Sequence, residues 1–173
     1  MALTWDKISS TTVTGTPNYI EFNSIPNTYT DLILMGKSGS VGNDTQAYSQ
    51  KTVANSTTIP TNIQGMFARS TINGFGAESQ NFIYYDYNIT TGDNITSVGM
   101  QYILNYTNDK FKTILTRNGK AFLAATYSGS EQMVSIWRNT GVISSLQVRV
   151  QPDASITWRA GTVLTLYGIK RKV

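Results

Sequence analysis

The alternation of apolar residues in short segments constrains this chain more than any other feature of its sequence. No window places apolar residues at i, i+3, i+4 and i+7 behind a helix cap, and Gly, Thr and Asn interrupt every candidate helix. The chain instead offers short runs rich in Ile, Val, Tyr, Phe and Thr, separated by turn residues. This pattern predicts an all-β fold, an antiparallel β-sandwich of the jelly-roll type.

Ten segments fit the strand pattern, and one turn can be named between them. The predicted strands cover residues 19–22, 31–35, 63–68, 81–87, 98–104, 112–117, 121–127, 133–138, 144–150 and 162–169. Asn118 and Gly119 tolerate the positive φ angles of a type I′ turn, so we expect the two strands beside them to form a hairpin.

The closing segment, "WRAGTVLTLYGIKRKV", is apolar on both faces of its predicted strand. Leu164 and Leu166 point to one side, and Val163, Tyr167 and Ile169 point to the other, because side chains alternate along an extended chain. We therefore expect this strand to lie between other strands with both faces covered. Trp137 and Trp158 are also assigned to the core and its margin.

Composition excludes several classes of chemistry. The 173 residues suit one domain, which can bury roughly 70% of its unfolded surface. With no His and no Cys, the chain lacks a Ser-His-Asp triad, a His-ligated zinc and any thiolate site. The net charge of +4 comes from 14 basic and 10 acidic residues that form no basic stripe, which argues against nucleic acid as a partner.

The carboxylates and glycines predict neither a metal nor a cofactor. Asp44, Asp86, Asp93 and Asp109 lack calcium-loop spacing and are interpreted as turn residues. No complete dinucleotide or P-loop glycine motif occurs. No basic leader precedes an apolar run, and no run approaches the ~18 residues of a membrane helix, so we expect no membrane association. Two carboxylates in a cleft, as in an enzyme that cleaves polysaccharide, stay an open alternative.

Three regions are candidates for contact with a partner. The aromatic run "NFIYYDYNI" (81–89) predicts either a tyrosine face for a protein or sugar, or tyrosines that cover a sheet. The polar stretch 36–60 predicts a long loop or arm that contacts a neighbouring subunit. The basic C-terminal end could dock on an acidic surface or protect a strand edge. The candidate contact residues are Tyr84, Tyr85, Tyr87, Gln46, Tyr48, Lys51, Lys170, Arg171 and Lys172.

Several motifs resemble those of one protein family. They are "YTDLILMGKSGS" (29–40), "YILNYTNDKFKTILTRNG" (102–119), "SIWRNTGVISSLQV" (135–148) and the closing "WRAGTVLTLYGIK" (158–170). Their order and spacing are similar to those of small virion structural proteins of tailed bacteriophages. The resemblance implies a β-sandwich or jelly roll, a place in the virion after assembly in the bacterial cytoplasm, and often a homotrimer.

The resemblance leaves two non-enzymatic roles open. One is a capsid decoration, or cement, protein that binds the major capsid protein or another virion protein. The other is a tail-fibre or head-fibre module that recognises host polysaccharide. Heptads and β-helical repeats of a fibre shaft are missing from the sequence, which favours the decoration protein.

Overall fold

A computed structural model describes residues 3–41, 47–55, 61–68, 72–80, 83–90, 96–121, 129–151 and 156–171. These residues form fourteen strands. The strands are β1 (Leu3–Thr12), β2 (Tyr19–Phe22), β3 (Asp31–Ser38), β4 (Ser40–Val41), β5 (Ala47–Ala54), β6 (Thr61–Ala68), β7 (Ile72–Gln80), β8 (Ile83–Thr90), β9 (Thr96–Ile103), β10 (Lys112–Ala121), β11 (Gly129–Trp137), β12 (Leu146–Gln151), β13 (Thr157–Trp158) and β14 (Val163–Arg171).

The strands form two large sheets that pack face to face. The eight-stranded sheet has the order β1-β14-β3-β9-β10-β11-β6-β7, and the four-stranded sheet has the order β2-β12-β5-β8. A short pair, β13-β4, closes one end. Every strand pairing in the described residues is antiparallel. The predicted all-β, antiparallel sandwich is confirmed.

The connections wind the sandwich in the jelly-roll manner. Four antiparallel pairs are nested along the chain: β1 with β14, β2 with β12, β3 with β9, and β5 with β8. Successive pairs alternate between the two sheets, as they do when one long ribbon wraps around a core. The hairpins β6-β7 and β10-β11 are insertions into this ribbon, and both extend the larger sheet beyond β9.

Alternating side chains from both sheets meet in the core. Leu34 and Leu166 come from the larger sheet, and Phe22 and Val148 from the smaller one, and all four are buried. Trp137 and Trp158 are buried too, which confirms their assignment to the core. Each large apolar side chain removed from water contributes about 1.5 to 3 kcal/mol to stability.

The closing strand β14 lies between β1 and β3, as its apolar sequence predicts. Leu164 and Leu166 are fully buried against the smaller sheet. The expectation that both faces are covered holds only in part, since on the second face Ile169 is buried whereas Val163 and Tyr167 are half-buried. That face belongs to the outside of the sandwich.

The predicted hairpin at Asn118 and Gly119 is wrong. β10 runs straight through both residues, and Gly119 lies opposite Ser130 of β11. Asn118 is buried, and its side-chain amide donates to the carbonyl oxygen of Tyr85 in the facing sheet. This bond to the other sheet outweighs the local turn preference of the pair. The predicted strand 121–127 lies outside the described residues, except for its first residue.

The predicted loop or arm at 36–60 is also wrong for the residues that are described. β3 continues to Ser38, and β5 is an inner strand of the four-stranded sheet. β5 turns Gln50 and Thr52 into the sandwich, where the Ser38 hydroxyl donates to Oε1 of Gln50 at 3.0 Å. Because the inner face of β5 is polar, the hydrophobicity pattern of the sequence does not indicate a strand here. Residues 42–46 and 56–60 lie outside the described residues.

A buried ion pair joins the two inserted strands β10 and β11 on their inner face. Nζ of Lys120 lies 2.6 Å from Oε1 of Glu131, and both side chains are 4% exposed. Both charges have been removed from water, and their mutual attraction offsets part of the cost of burying them.

We expect Glu131→Gln to lower the free energy of unfolding by about 3 to 5 kcal/mol, because it leaves the buried ammonium of Lys120 without its carboxylate. Urea unfolding followed by circular dichroism measures the change. The double variant Lys120→Met/Glu131→Leu should regain most of the loss, because it removes both charges. A loss below about 1 kcal/mol for the single variant would contradict this account.

Candidate functional site

The outer face of the eight-stranded sheet carries an apolar row in register. Tyr167, Ile33, Tyr102, Leu115 and Val134 lie directly opposite one another on β14, β3, β9, β10 and β11. We call these five residues the outer row. It spans four strand spacings, about 19 Å, without a charged side chain.

Several apolar side chains on this face are open to solvent. Val134 is 49% exposed and Leu115 is 37% exposed, and Ile136 beside them is 41% exposed. At the far end, Trp5 is half exposed, and its ring centroid lies 6.0 Å from that of Tyr167. An antiparallel sheet usually presents polar residues to water. A contiguous apolar row on such a face is typical of an interaction surface.

The central tyrosine of the outer row is held in place by a buried carboxylate. The Tyr102 hydroxyl donates to Oδ2 of Asp31 at 2.9 Å, and the backbone amide of Asn105 donates to Oδ1 at 2.8 Å. Asp31 itself is fully buried. The tyrosine is thus fixed before any partner arrives, which lowers the entropy lost on binding.

The three tyrosines predicted as contacts have different positions. The prediction that Tyr85 contacts a partner needs correction, because Tyr85 is fully buried. Its hydroxyl donates to the Gly99 carbonyl at 2.9 Å. It belongs to the core because β8 crosses over the inner faces of β9 and β10. Tyr84 points to the opposite side and is half-buried, while the side chain of Tyr87 lies outside the described residues.

Of the predicted contacts, the structure brings together Lys51 and Tyr84. They are register partners on β5 and β8, and Nζ of Lys51 lies 5.7 Å from the tyrosine ring centroid. Burial lowers the pKa of Lys51 from its ordinary value. The side chain of Tyr48 and the whole of Gln46 lie outside the described residues.

At the basic end of the chain, the structure describes the side-chain contacts of Lys170. Lys170 is exposed, with Nζ 3.7 Å from Oδ2 of Asp6 and 5.2 Å from the ring centroid of Tyr29. Because the Lys170 side chain is still 53% exposed, its role as a partner contact stays a prediction. Arg171 ends β14, and its side chain, like all of Lys172, lies outside the described residues.

One shallow cavity of about 160 Å³ opens at the end of β3. Lys37 and Arg159 line it, and the turn between β13 and β14 forms one wall. The Gly39 amide donates to the Thr162 hydroxyl at 3.1 Å, which fixes that wall.

The part of the chain that is described contains neither a cluster of metal-binding side chains nor a membrane-spanning helix. Within residues 3–41 and the later described ranges, no three acidic, His or Cys side chains group closely enough to hold a metal ion. The same residues include no helix of the length and hydrophobicity that crossing a membrane requires.

The outer row was missed by the sequence analysis, although one strand contains a signal for it. On β11, Met133 and Trp137 face the core, while Val134 and Ile136 alternate with them on the outside. A strand with apolar residues on both faces indicates a covered outer surface. Which other strands supply the rest of the row depends on register, and sequence alone does not give that.

Comparisons of the chain with known protein families, with curated proteins and with solved structures find no match.

We expect Tyr102→Phe to lower the free energy of unfolding by about 1 kcal/mol, because Asp31 loses a buried hydrogen-bond donor. Chemical denaturation measures this change in the free energy of unfolding. Tyr19→Phe, at a half-exposed tyrosine, is the matched control and should change stability by less than about 0.5 kcal/mol. Equal effects in the two variants would argue against a fixed Tyr102.

Proposed function

We propose that this chain is a non-enzymatic structural protein of a tailed-bacteriophage particle, a decoration protein that binds the outer capsid surface. The observation that carries the proposal is the outer row, an uncharged apolar strip across five strands with Leu115 and Val134 exposed. The motif resemblance to small virion structural proteins gives the partner, the major capsid protein or another virion protein.

The outer row suits the centre of a protein interface. Interface centres are rich in aromatic and aliphatic residues and poor in charge, with polar groups at the rim. Tyr167 and Tyr102 supply rigid aromatic surface, and exposed Lys37 and Arg117 lie to one side as rim residues. Removing Leu115 and Val134 from water would contribute most of the attachment energy.

Attachment would be strengthened by trimerisation, which the resemblance implies. A decoration protein meets a repeating surface, so three linked copies can engage three adjacent capsid sites. Once the first copy is bound, the others bind from a high effective concentration. A modest outer-row contact per subunit then gives tight attachment overall.

The second candidate is a tail-fibre or head-fibre module that recognises host polysaccharide. The observation that favours it is the pairing of Lys51 and Tyr84 on the outer face of the smaller sheet. The ring of a tyrosine can pack against the apolar face of a sugar, and its hydroxyl can hydrogen-bond to the sugar hydroxyls.

The number of copies per purified particle discriminates between the two roles. Quantitative mass spectrometry against the major capsid protein gives this number. Hundreds of copies, in a simple ratio to the capsid protein, are expected of a decoration protein. A few to a few dozen copies would overturn decoration and place the chain on a tail or a vertex fibre.

We expect the double variant Leu115→Asp/Val134→Asp to bind particles that lack this protein at least about 100-fold more weakly than the wild type. Each change places a carboxylate in the apolar interface centre, where a lost hot spot alone costs about 2 kcal/mol. Co-sedimentation with such particles measures the affinity.

Val142→Asp is the matched control, because Val142 is 40% exposed but lies in the segment between β11 and β12, away from the outer row. It should bind like the wild type. Undiminished attachment of the folded double variant would exclude the outer row as the capsid contact.

A further inference from the structure

The outer face of the four-stranded sheet carries a second row in register, of different chemistry. Tyr19, Arg149, Lys51 and Tyr84 lie directly opposite one another on β2, β12, β5 and β8. We call these four residues the basic-aromatic row. It crosses three strand spacings, about 14 Å, on the side of the sandwich opposite to the outer row.

The centre of the basic-aromatic row places two cations side by side. Arg149 and Lys51 are register partners on neighbouring strands, an arrangement in which like charges repel. Both side chains are half-buried, and burial lowers the pKa of Lys51. An anion that lies between Arg149 and Lys51 would be attracted to both cations.

The arginine is oriented by its own strand. Nε of Arg149 donates to Oε1 of Gln147, a side chain that is 7% exposed. This bond uses one of the five N–H donors of the guanidinium and fixes its plane. A planar guanidinium with further donors matches a carboxylate, which can accept two parallel hydrogen bonds. Glu21, opposite Gln147, bounds this site on one side.

The two ends of the row are aromatic. Tyr19 is 50% exposed at one end. At the other end, Tyr84 lies with its ring centroid 5.7 Å from Nζ of Lys51, within cation–π range. Two rigid rings therefore flank a positively charged centre.

We propose that the basic-aromatic row binds an acidic saccharide, a carbohydrate chain that carries carboxylates. The carboxylate accepts hydrogen bonds from Arg149 and Lys51, and neighbouring sugar rings lie with their apolar faces against Tyr19 and Tyr84. The cations supply the charge selectivity, and the tyrosines supply the contact area.

Other polyanions fit this surface less well. Nucleic acid is held by a long series of phosphate contacts, whereas this row offers two cations. An extended peptide binds by adding a strand at a sheet edge or by filling an apolar groove. The basic-aromatic row instead crosses all four strands of its sheet. A uronic-acid chain carries both apolar ring faces and carboxylates. It therefore matches the two tyrosines and the two cations of this row.

This inference stands independently of capsid attachment. The outer row and the basic-aromatic row lie on opposite outer faces of the sandwich. A protein molecule that is bound through its outer row therefore still exposes its basic-aromatic row. The Leu115→Asp/Val134→Asp variant should accordingly keep its saccharide affinity, which separates failure of one proposal from failure of the other.

Titration calorimetry of the full chain at low ionic strength tests the proposal. The probe is an oligogalacturonate, and its fully methyl-esterified form is the uncharged comparison. We expect a Kd of about 1 mM or lower for the acid and at least about tenfold weaker binding of the ester. Arg149→Gln should weaken binding of the acid about tenfold or more, and Tyr19→Ala several-fold.

Lys7→Gln is the matched control, since it removes one exposed positive charge from the opposite side of the sandwich. It should change the affinity less than about twofold. Four outcomes would each overturn the proposal: no binding of the acid, equal binding of the ester, equal binding of polyglutamate, or equal losses in Lys7→Gln and Arg149→Gln.

Discussion

The pairing of β1 with β14 is the constraint on which the rest of this structure depends. It joins Leu3 to Arg171 and is the outermost of four nested antiparallel pairs. Once it forms, β14 has a partner on each side and can present Leu164 and Leu166 to the core. On its other side, β14 pairs with β3, and this second pairing places Tyr167 opposite Ile33 on the outer face. The closing strand β14 therefore contributes to the core with one face and to the outer row with the other.

The inserted hairpins explain how a small sandwich obtains two unlike surfaces. The β6-β7 and β10-β11 strands widen one sheet and leave the other at four strands. The wider sheet gains Leu115 and Val134, which add exposed apolar side chains to its outer face. The smaller sheet keeps a polar outer face with Arg149 and Lys51. Such a division suits a protein that attaches by one side and offers the other to its surroundings.

Much of the fold, but little of the candidate site, could be predicted from sequence. Strand-type alternation identified β2 with its correct bounds and placed Trp158 in the core. The turn preference of Asn118 and Gly119 gave a wrong prediction, because a contact between the two sheets determines the local structure. The Asn118 amide donates to the Tyr85 carbonyl of the facing sheet. Hydrophobicity failed for β5, because Gln50 faces inward and is held by Ser38. Both surface rows depend on strand register, which joins residues far apart in sequence.

The nested winding also has a consequence for biosynthesis. Among the described residues β1 pairs with β14 alone, so β1 cannot form its pairing until the ribosome has synthesised all the strands between them. Contacts between such distant segments make folding slow and leave apolar strands uncovered in the meantime. Demand on chaperones should therefore persist until β14 has been synthesised and can pair with β1.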